Sequence, residues 1–366
     1  MPEDRESAAP PAPAFGRREL SLAERLSRTI SAGGPISLAN YMLQANTHYY
    51  ASRDPLGAAG DFITAPEISQ MFGELVGLTL ADVWRRTAKH MPPAYVELGP
   101  GRGTLAQDAL RAMEQAGVAP VVHFVETSTA LRGEQLKRVP HASFHDDIET
   151  LPKDRPLLIV ANEFFDALPI AQAIRTEDGW RDMMVGLGED SAFTLMAGDR
   201  PIGARVPKSL RKADVGAIHE VCEAGATIML TLARRIARQG GIFLVIDYGY
   251  EGPALGDTLQ AVRRHGYADP FADAGENDLT AHVDFTMLAN AARHEDLAIH
   301  GPVGQGEFLT RLGIGVRAEA LAKGAPERAE EIESARRRLV EDDQMGTLFK
   351  VLAVAHPFWP EPGGFA

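Results

Sequence analysis

The segment 94–117 constrains the fold of this chain more than any other. An apolar run, Ala94–Leu98, leads into Gly99-Pro100-Gly101-Arg102-Gly103. A helical pattern follows, with Leu105, Ala109, Leu110 and Met113 on one face and Gly117 as its stop. Strand, glycine turn and helix are the opening unit of an open α/β sheet. Four more apolar runs lie at 121–126, 142–145, 157–161 and 241–247. Alternating runs and helical segments predict a Rossmann-like α/β core, with a mostly parallel sheet covered on both faces. The continuous apolar character of 157–160 and 242–246 is that of buried parallel strands.

The fourth and fifth runs are separated by about 80 residues, far more than a crossover needs. An insertion at 171–215 is therefore expected, with a hairpin from 172–175 and 180–185 around Glu177-Asp178-Gly179. A crossover helix over 216–239 follows, and 348–355 reads as a closing strand. The core thus divides into 91–170 and 216–358. Ahead of it, 18–90 reads as a helical cap: a helix over 18–30, another over 38–44 capped by Ser37, a polar, aromatic and Gly-rich stretch over 46–62, and a long helix over 67–88 opened by Pro66. Residues 1–17, rich in Pro and Ala, read as a disordered tail and lack the pattern of a signal peptide.

Composition narrows the function. A formal net charge of −13 argues against a nucleic-acid partner, which needs a basic footprint, and suits a basic protein partner. One cysteine, Cys222, rules out an intrachain disulfide and a cysteine-based zinc site; it reads as a core residue of a helix. No apolar run reaches the length of a membrane span. The protein is read as cytoplasmic, and the insertion as a substrate lid or a homodimer contact.

The glycines Gly99, Gly101 and Gly103 follow G-x-G-x-G, not the wider G-x-G-x-x-G of a dinucleotide site. With Glu97 at the strand end to engage the ammonium of a methionine moiety, the loop fits S-adenosyl-L-methionine (SAM) and its product S-adenosylhomocysteine. Glu126, ending the second run, is placed to accept ribose hydroxyls. Asp146 and Asp147 follow the third run; a resemblance to cofactor-binding α/β families puts one of them beside the adenine amino group, and the alternative is a helix cap before Ile148. Asn162, Glu163 and Asp166 end the fourth run at the sheet edge where ligands bind, and their oxygens suit a cationic acceptor. Asp247-Tyr248-Gly249-Tyr250 ends at the same edge. His282 and Asp284 form either a general-base pair or, for Asp284, a helix cap. His141, His145, Asp146 and Asp147 lack the spacing of a metal site, so no metal is expected.

Several segments closely resemble the MidA family of SAM-dependent methyltransferases, which includes the mitochondrial complex I assembly arginine methyltransferase. They are 60–74 (Gly60-Asp61-Phe62-Ile63-Thr64-Ala65-Pro66-Glu67 onward to Glu74), 97–104, 161–169, 245–250, 256–261 and 278–285. The resemblance spans about residues 20 to 356 and marks a bacterial member. It implies a class I methyltransferase core with a mostly parallel seven-stranded sheet, a helical cap and an inserted region. It also implies arginine N-methylation of a protein substrate, a complex I subunit, with Glu67 and the Gly99–Gly103 loop facing cofactor and Glu163 and Asp166 holding guanidinium. A SAM-binding assembly chaperone and a small-molecule N- or O-methyltransferase are the alternatives.

Overall fold

The computed structural model describes residues 20–52, 64–87, 91–263 and 266–365. The expected tail, 1–17, and Gly60–Ile63 of the shared segment lie outside the described residues. Helix α1 (Leu22–Gly33) opens on a capping box: Ser21 Oγ accepts Glu24 N–H at 3.2 Å, and Glu24 accepts Ser21 N–H at 2.7 Å. Its Leu22, Leu26 and Ile30 form the buried stripe. A two-residue strand, β1 (Ile36–Ser37), precedes α2 (Leu38–Ser52), and Ser37 Oγ accepts the N–H of Asn40 at 3.2 Å, the expected cap.

Two expectations for the cap fail for identifiable reasons. Helix α2 runs past its expected end at Gln44 into the polar stretch, through Asn46, Thr47, His48 and Tyr49. Tertiary contacts override local polarity here. Tyr49 is fully buried, and the Asn46 amide bonds to the Ala167 and Leu279 carbonyls (2.9 and 2.8 Å) and to Leu279 N–H (3.1 Å). The single helix expected over 67–88 is two helices, α3 (Ala65–Ile68) and α4 (Gln70–Arg85). Ser69 is extended between them (φ −161°, ψ 139°), and its hydroxyl caps Met71 N–H.

The core runs β2 (Ala94–Leu98), α5 (Thr104–Gln115), β3 (Val121–Val125), α6 (Thr129–Arg138), β4 (Ser143–His145) and β5 (Leu157–Asn162). The insertion supplies β6 (Ala171–Thr176), β7 (Gly179–Leu187), β8 (Phe193–Pro201) and β9 (Ile218–Val221). Then come α7 (Glu223–Gln239), β10 (Gly241–Tyr250), β11 (Gln260–Arg263), β12 (Gly266–Ala268), β13 (Asp278–Thr280), β14 (Val283–Asp284) and α8 (Phe285–Arg293). The chain closes with β15 (Ala298–Gly304), α9 (Gln305–Arg311), α10 (Ile314–Gly324), α11 (Ala329–Val340), α12 (Met345–Leu348) and β16 (Phe349–Ala355).

The main sheet has the order β15-β16-β10-β5-β2-β3-β4. It is parallel from β10 to β4, and β16 is antiparallel to both its neighbours. Six of these seven answer to the apolar runs of the sequence; β15 does not, and β14, pairing with the end of β10, makes the sheet eight-stranded where seven strands are expected. Alternate strand residues serve opposite faces. Tyr95, Leu158, Val160, Ile242 and Leu244 pack under α4, α5 and α9, and Val96, Ile159, Ala161, Phe243 and Val245 pack under α7 and α8. The strand order reverses between β2 and β5, where Leu98 lies beside Ala161. A crevice outside the carboxyl ends of strands at such a reversal is where open α/β sheets bind ligands.

The expected hairpin is β6–β7, and β7 also pairs with β8 and with β1 of the cap. The crossover helix begins at Glu223, not near 216, because Ile218–Val221 is drawn into the inserted sheet by pairing with β6. Cys222 is consequently the N-cap of α7, its Sγ accepting Gly225 N–H at 3.3 Å, not an interior helix residue. Strands β11–β13 form a three-stranded sheet that the apolar pattern does not predict. No described helix is long and apolar enough to cross a membrane.

Candidate functional site

The two halves of the site leave the sheet side by side. On the β2 side, Gly99, Gly101 and Gly103 have φ of 59°, 53° and 82°, a left-handed path that L side chains resist. Gly99 N–H donates to Val125 O (3.0 Å) and Gly103 N–H to Pro100 O (2.7 Å), which fixes the turn at the head of α5. Glu97, just before it, is buried, and Tyr95 Oη donates to its Oε2 at 2.7 Å. Burial lifts the Glu97 carboxyl to about 8, against the pull of the Tyr95 hydrogen bond. Glu67, on α3, accepts from Thr104 Oγ1 at 2.5 Å and so reaches the first turn of α5.

Glu126 is buried at the end of β3, and Ser128 N–H donates to its Oε1 at 2.7 Å. Burial raises its carboxyl above the usual range. Gln135 ties this acid to the loop: its Nε2 donates to Gly101 O (2.7 Å) and to Glu126 Oε2 (3.2 Å). Both partners are acceptors, so the amide orientation is set, and Gln135 Oε1 is left buried without a partner. Sequence reasoning missed Gln135. The available signal was a polar residue four positions after Leu131 in the buried stripe of α6. Asp147 caps the 3-10 turn Ile148–Thr150, accepting Glu149 N–H at 2.8 Å, as the cap alternative described. Asp146 is largely exposed and pairs with Arg132 at 2.5 Å.

On the β5 side, Glu163 turns the chain with φ 49°, an uncommon conformation outside glycine. Its Oε1 accepts Ala65 N–H (3.0 Å) and Asn162 Nδ2 (3.2 Å), so α3 rests on this carboxylate at one end and on Thr104 at the other. Burial raises Glu163 to about 8, with the nearby Asp166 charge adding and the Ala65 N–H opposing. Asp166 is buried and raised to about 6 by that burial, with Tyr248 acting against it. Asn162 Oδ1 and Asp166 Oδ1 are buried acceptors without partners. Asp247, which the sequence offers with Tyr248, Gly249 and Tyr250 as a lining of the acceptor pocket or as a packed turn, accepts the N–H groups of Phe164, Phe165 and Asp166.

His282 packs its ring edge-on against Tyr248 at 5.4 Å. Asp284 is the N-cap of α8, accepting Met287 N–H at 3.0 Å, as the cap reading expected; no general-base pair forms with His282. Among the described residues no group of three or more His, Cys, Asp or Glu side chains is placed to hold a metal ion.

The orphaned buried atoms here, Gln135 Oε1, Asn162 Oδ1 and Asp166 Oδ1, are all acceptors. A ligand that completes them must be rich in N–H or O–H donors. SAM, with an ammonium, ribose hydroxyls and an adenine amino group, offers such donors to the β2 side, where Gln135 and Glu126 adjoin the glycine turn, and that turn admits a close approach.

Comparison with known proteins agrees with the resemblance drawn from the sequence. A family model for S-adenosyl-L-methionine-dependent methyltransferases matches residues 75–303. The mitochondrial protein arginine methyltransferase NDUFAF7 homolog of Drosophila melanogaster is 35% identical over 373 residues, covering 91% of this chain and 84% of that protein. Human NDUFAF7 is 36% identical over 329 residues, covering 80% and 73%. A Burkholderia thailandensis protein solved with S-adenosyl-homocysteine bound superposes with a TM-score of 0.82 at 26% identity over 97% of both chains. The chain belongs to this family of S-adenosyl-L-methionine-dependent methyltransferases, and S-adenosyl-L-methionine is its cofactor.

Proposed function

We propose that the chain methylates a guanidinium nitrogen of arginine in a protein acceptor. The observation that carries this reading is the cluster of acceptor oxygens at the β5 edge, Glu163, Asp166 and the unpartnered Asn162 Oδ1, adjoining the glycine loop. A guanidinium offers five N–H donors and a permanent charge to such a lining. The relatives are protein arginine methyltransferases by name. The family resemblance makes a complex I subunit the first acceptor to test, in a bacterial cytoplasm. A homodimer through the insertion is a separate question, to be settled by mass in solution.

Bound SAM supplies an electrophilic methyl group on a sulfonium centre. Glu97 engages its ammonium, Glu126 its ribose, and the Gly99–Gly103 turn gives it room. Asn162, Glu163 and Asp166 would hold the nucleophilic nitrogen beside it. Orientation of this kind supplies most of the acceleration. The carboxylates hold the charge that spreads over the guanidinium as the bond forms. Glu163, titrating near 8, is suited to carry the proton the nitrogen sheds.

The test is methyl transfer from isotopically labelled SAM to peptides that carry arginine or lysine, beside a panel of small amines and alcohols. Label on arginine alone supports the reading. Label only on the small molecules replaces it with the small-molecule alternative.

The cofactor half yields a pH prediction. Free Glu97 titrates near 8, so at pH 6 it is almost entirely protonated. An ammonium needs the ionised form, so binding must expel that proton. S-adenosylhomocysteine affinity should therefore rise with pH, by roughly fiftyfold between pH 6 and 8, and flatten above. Calorimetry across that range reads the slope. Glu97→Gln should remove most of it, and a flat wild-type profile would take Glu97 away from the ammonium.

A further inference from the structure

Asp247 is fully buried at the end of a strand run, Ile242 to Ile246, in which every side chain is apolar and buried. A carboxylate in such a place persists only when its oxygens are hydrogen-bonded. Here Oδ2 accepts the N–H groups of Phe164 (3.2 Å), Phe165 (3.0 Å) and Asp166 (3.3 Å), and Oδ1 accepts Tyr248 N–H (3.0 Å). Glu163 N–H donates to Ile246 O at 2.9 Å. Four consecutive N–H groups after β5 are thus tied to β10, three of them through one side-chain oxygen.

The segment held in this way is the one that carries the acceptor-side acids. It opens on Glu163 at φ 49°, and a non-glycine residue stays in that region only where its surroundings over-determine it. We infer that Asp247 is a positioning residue: by gathering the 164–166 N–H groups it fixes Glu163 and Asp166 where they face the acceptor. This role rests on the acceptor reading above. A residue serving only the core would be apolar, as its strand neighbours are. An apolar side chain could not satisfy three converging N–H groups.

The isosteric change Asp247→Asn tests this. An amide cannot accept on both sides, so its NH2 must oppose either Tyr248 N–H or the three loop N–H groups. The expected result is a fall in kcat of tenfold or more on an arginyl peptide, with S-adenosylhomocysteine affinity within threefold of wild type. Hydrogen exchange at the amides of 164–166 should speed up at least tenfold, while the amides of β2 keep their protection. Unchanged exchange at 164–166, or equal loss of protection through β2 and β5, overturns the positioning role. Should the variant not fold, the wild-type protein still decides: amides 164–166 must exchange as slowly as those of β5, and loop-like rates overturn the proposal. A wild-type protein inactive on arginyl peptides ends the arginine reading instead, while amide exchange still reports whether Asp247 holds the loop.

Discussion

Replacing Gly99 by valine is expected to weaken S-adenosylhomocysteine binding by about a hundredfold or more while leaving the ligand-free fold intact. Gly99 has φ 59°, where an L residue is disfavoured by roughly 1–2 kcal/mol and a β-branched one by more. A Cβ placed there also lies 2.9 Å from Phe164 Cδ2, closer than two carbons pack without a shift. The loop must therefore relax, and Gly99 is joined to Val125 O on one side and leads into Gly101 on the other. Each tenfold loss corresponds to about 1.4 kcal/mol, so strain and clash together reach two such steps. Because Phe164 sits on the loop after β5, the substitution disturbs both halves of the candidate site at once. Gly133, in the middle of α6, is the control: a Cβ added there meets nothing within 4 Å, so Gly133→Ala should bind as wild type does. Calorimetry for affinity and a thermal melt for the fold separate the outcomes. A Gly99→Val protein that binds normally would remove this turn from the cofactor site.

The contrast between Gly99 and Gln135 shows what the sequence disclosed. The glycine loop is a local pattern, and so are the buried parallel strands, which write themselves as unbroken apolar runs. Local chemistry also exposed the Ser37 and Asp284 caps. What escaped is what depends on partners distant in the chain. Asn46 holds α2 helical by bonding to Leu279, and Ile218–Val221 becomes a strand only because β6 is there to pair with it. Gln135 looks unremarkable until the fold sets it beside Gly101, and Asp247, legible as a residue of the ligand edge, shows its hold on 164–166 only in the fold. Each did leave a trace: a polar side chain interrupting a buried apolar stripe. Such a residue must find partners, and in this chain those partners are the two loops of the site. The candidate acids Glu97, Glu126 and Glu163 were legible because strand ends at a sheet edge are ligand positions in any open α/β fold. Their hydrogen-bond commitments were not legible.

Glu163 is the acid whose commitments matter most, because its Oε1 is already engaged by Ala65 N–H and Asn162 Nδ2. Two roles are therefore separable, a charge for the acceptor and an anchor for α3. Glu163→Gln keeps an oxygen for Ala65 N–H and removes the charge; Glu163→Ala removes both. If the charge holds the guanidinium, both variants should lose kcat on an arginyl peptide by a hundredfold or more, since removing a charged partner from a buried pair costs about 3–5 kcal/mol. S-adenosylhomocysteine affinity should stay within threefold for Glu163→Gln. If the anchor alone matters, Glu163→Gln should keep most of the activity and Glu163→Ala should lose it. The pH profile gives an independent reading. With its carboxyl raised to about 8, Glu163 is mostly protonated in the free protein at pH 6, and a bound guanidinium requires it ionised. Wild-type kcat/KM for the acceptor should thus climb as pH rises toward 8, and Glu163→Gln should lose that dependence along with its rate. A Glu163→Gln enzyme of normal rate and unchanged pH profile would leave Asp166 as the remaining acid for the guanidinium and reduce Glu163 to the support on which α3 rests.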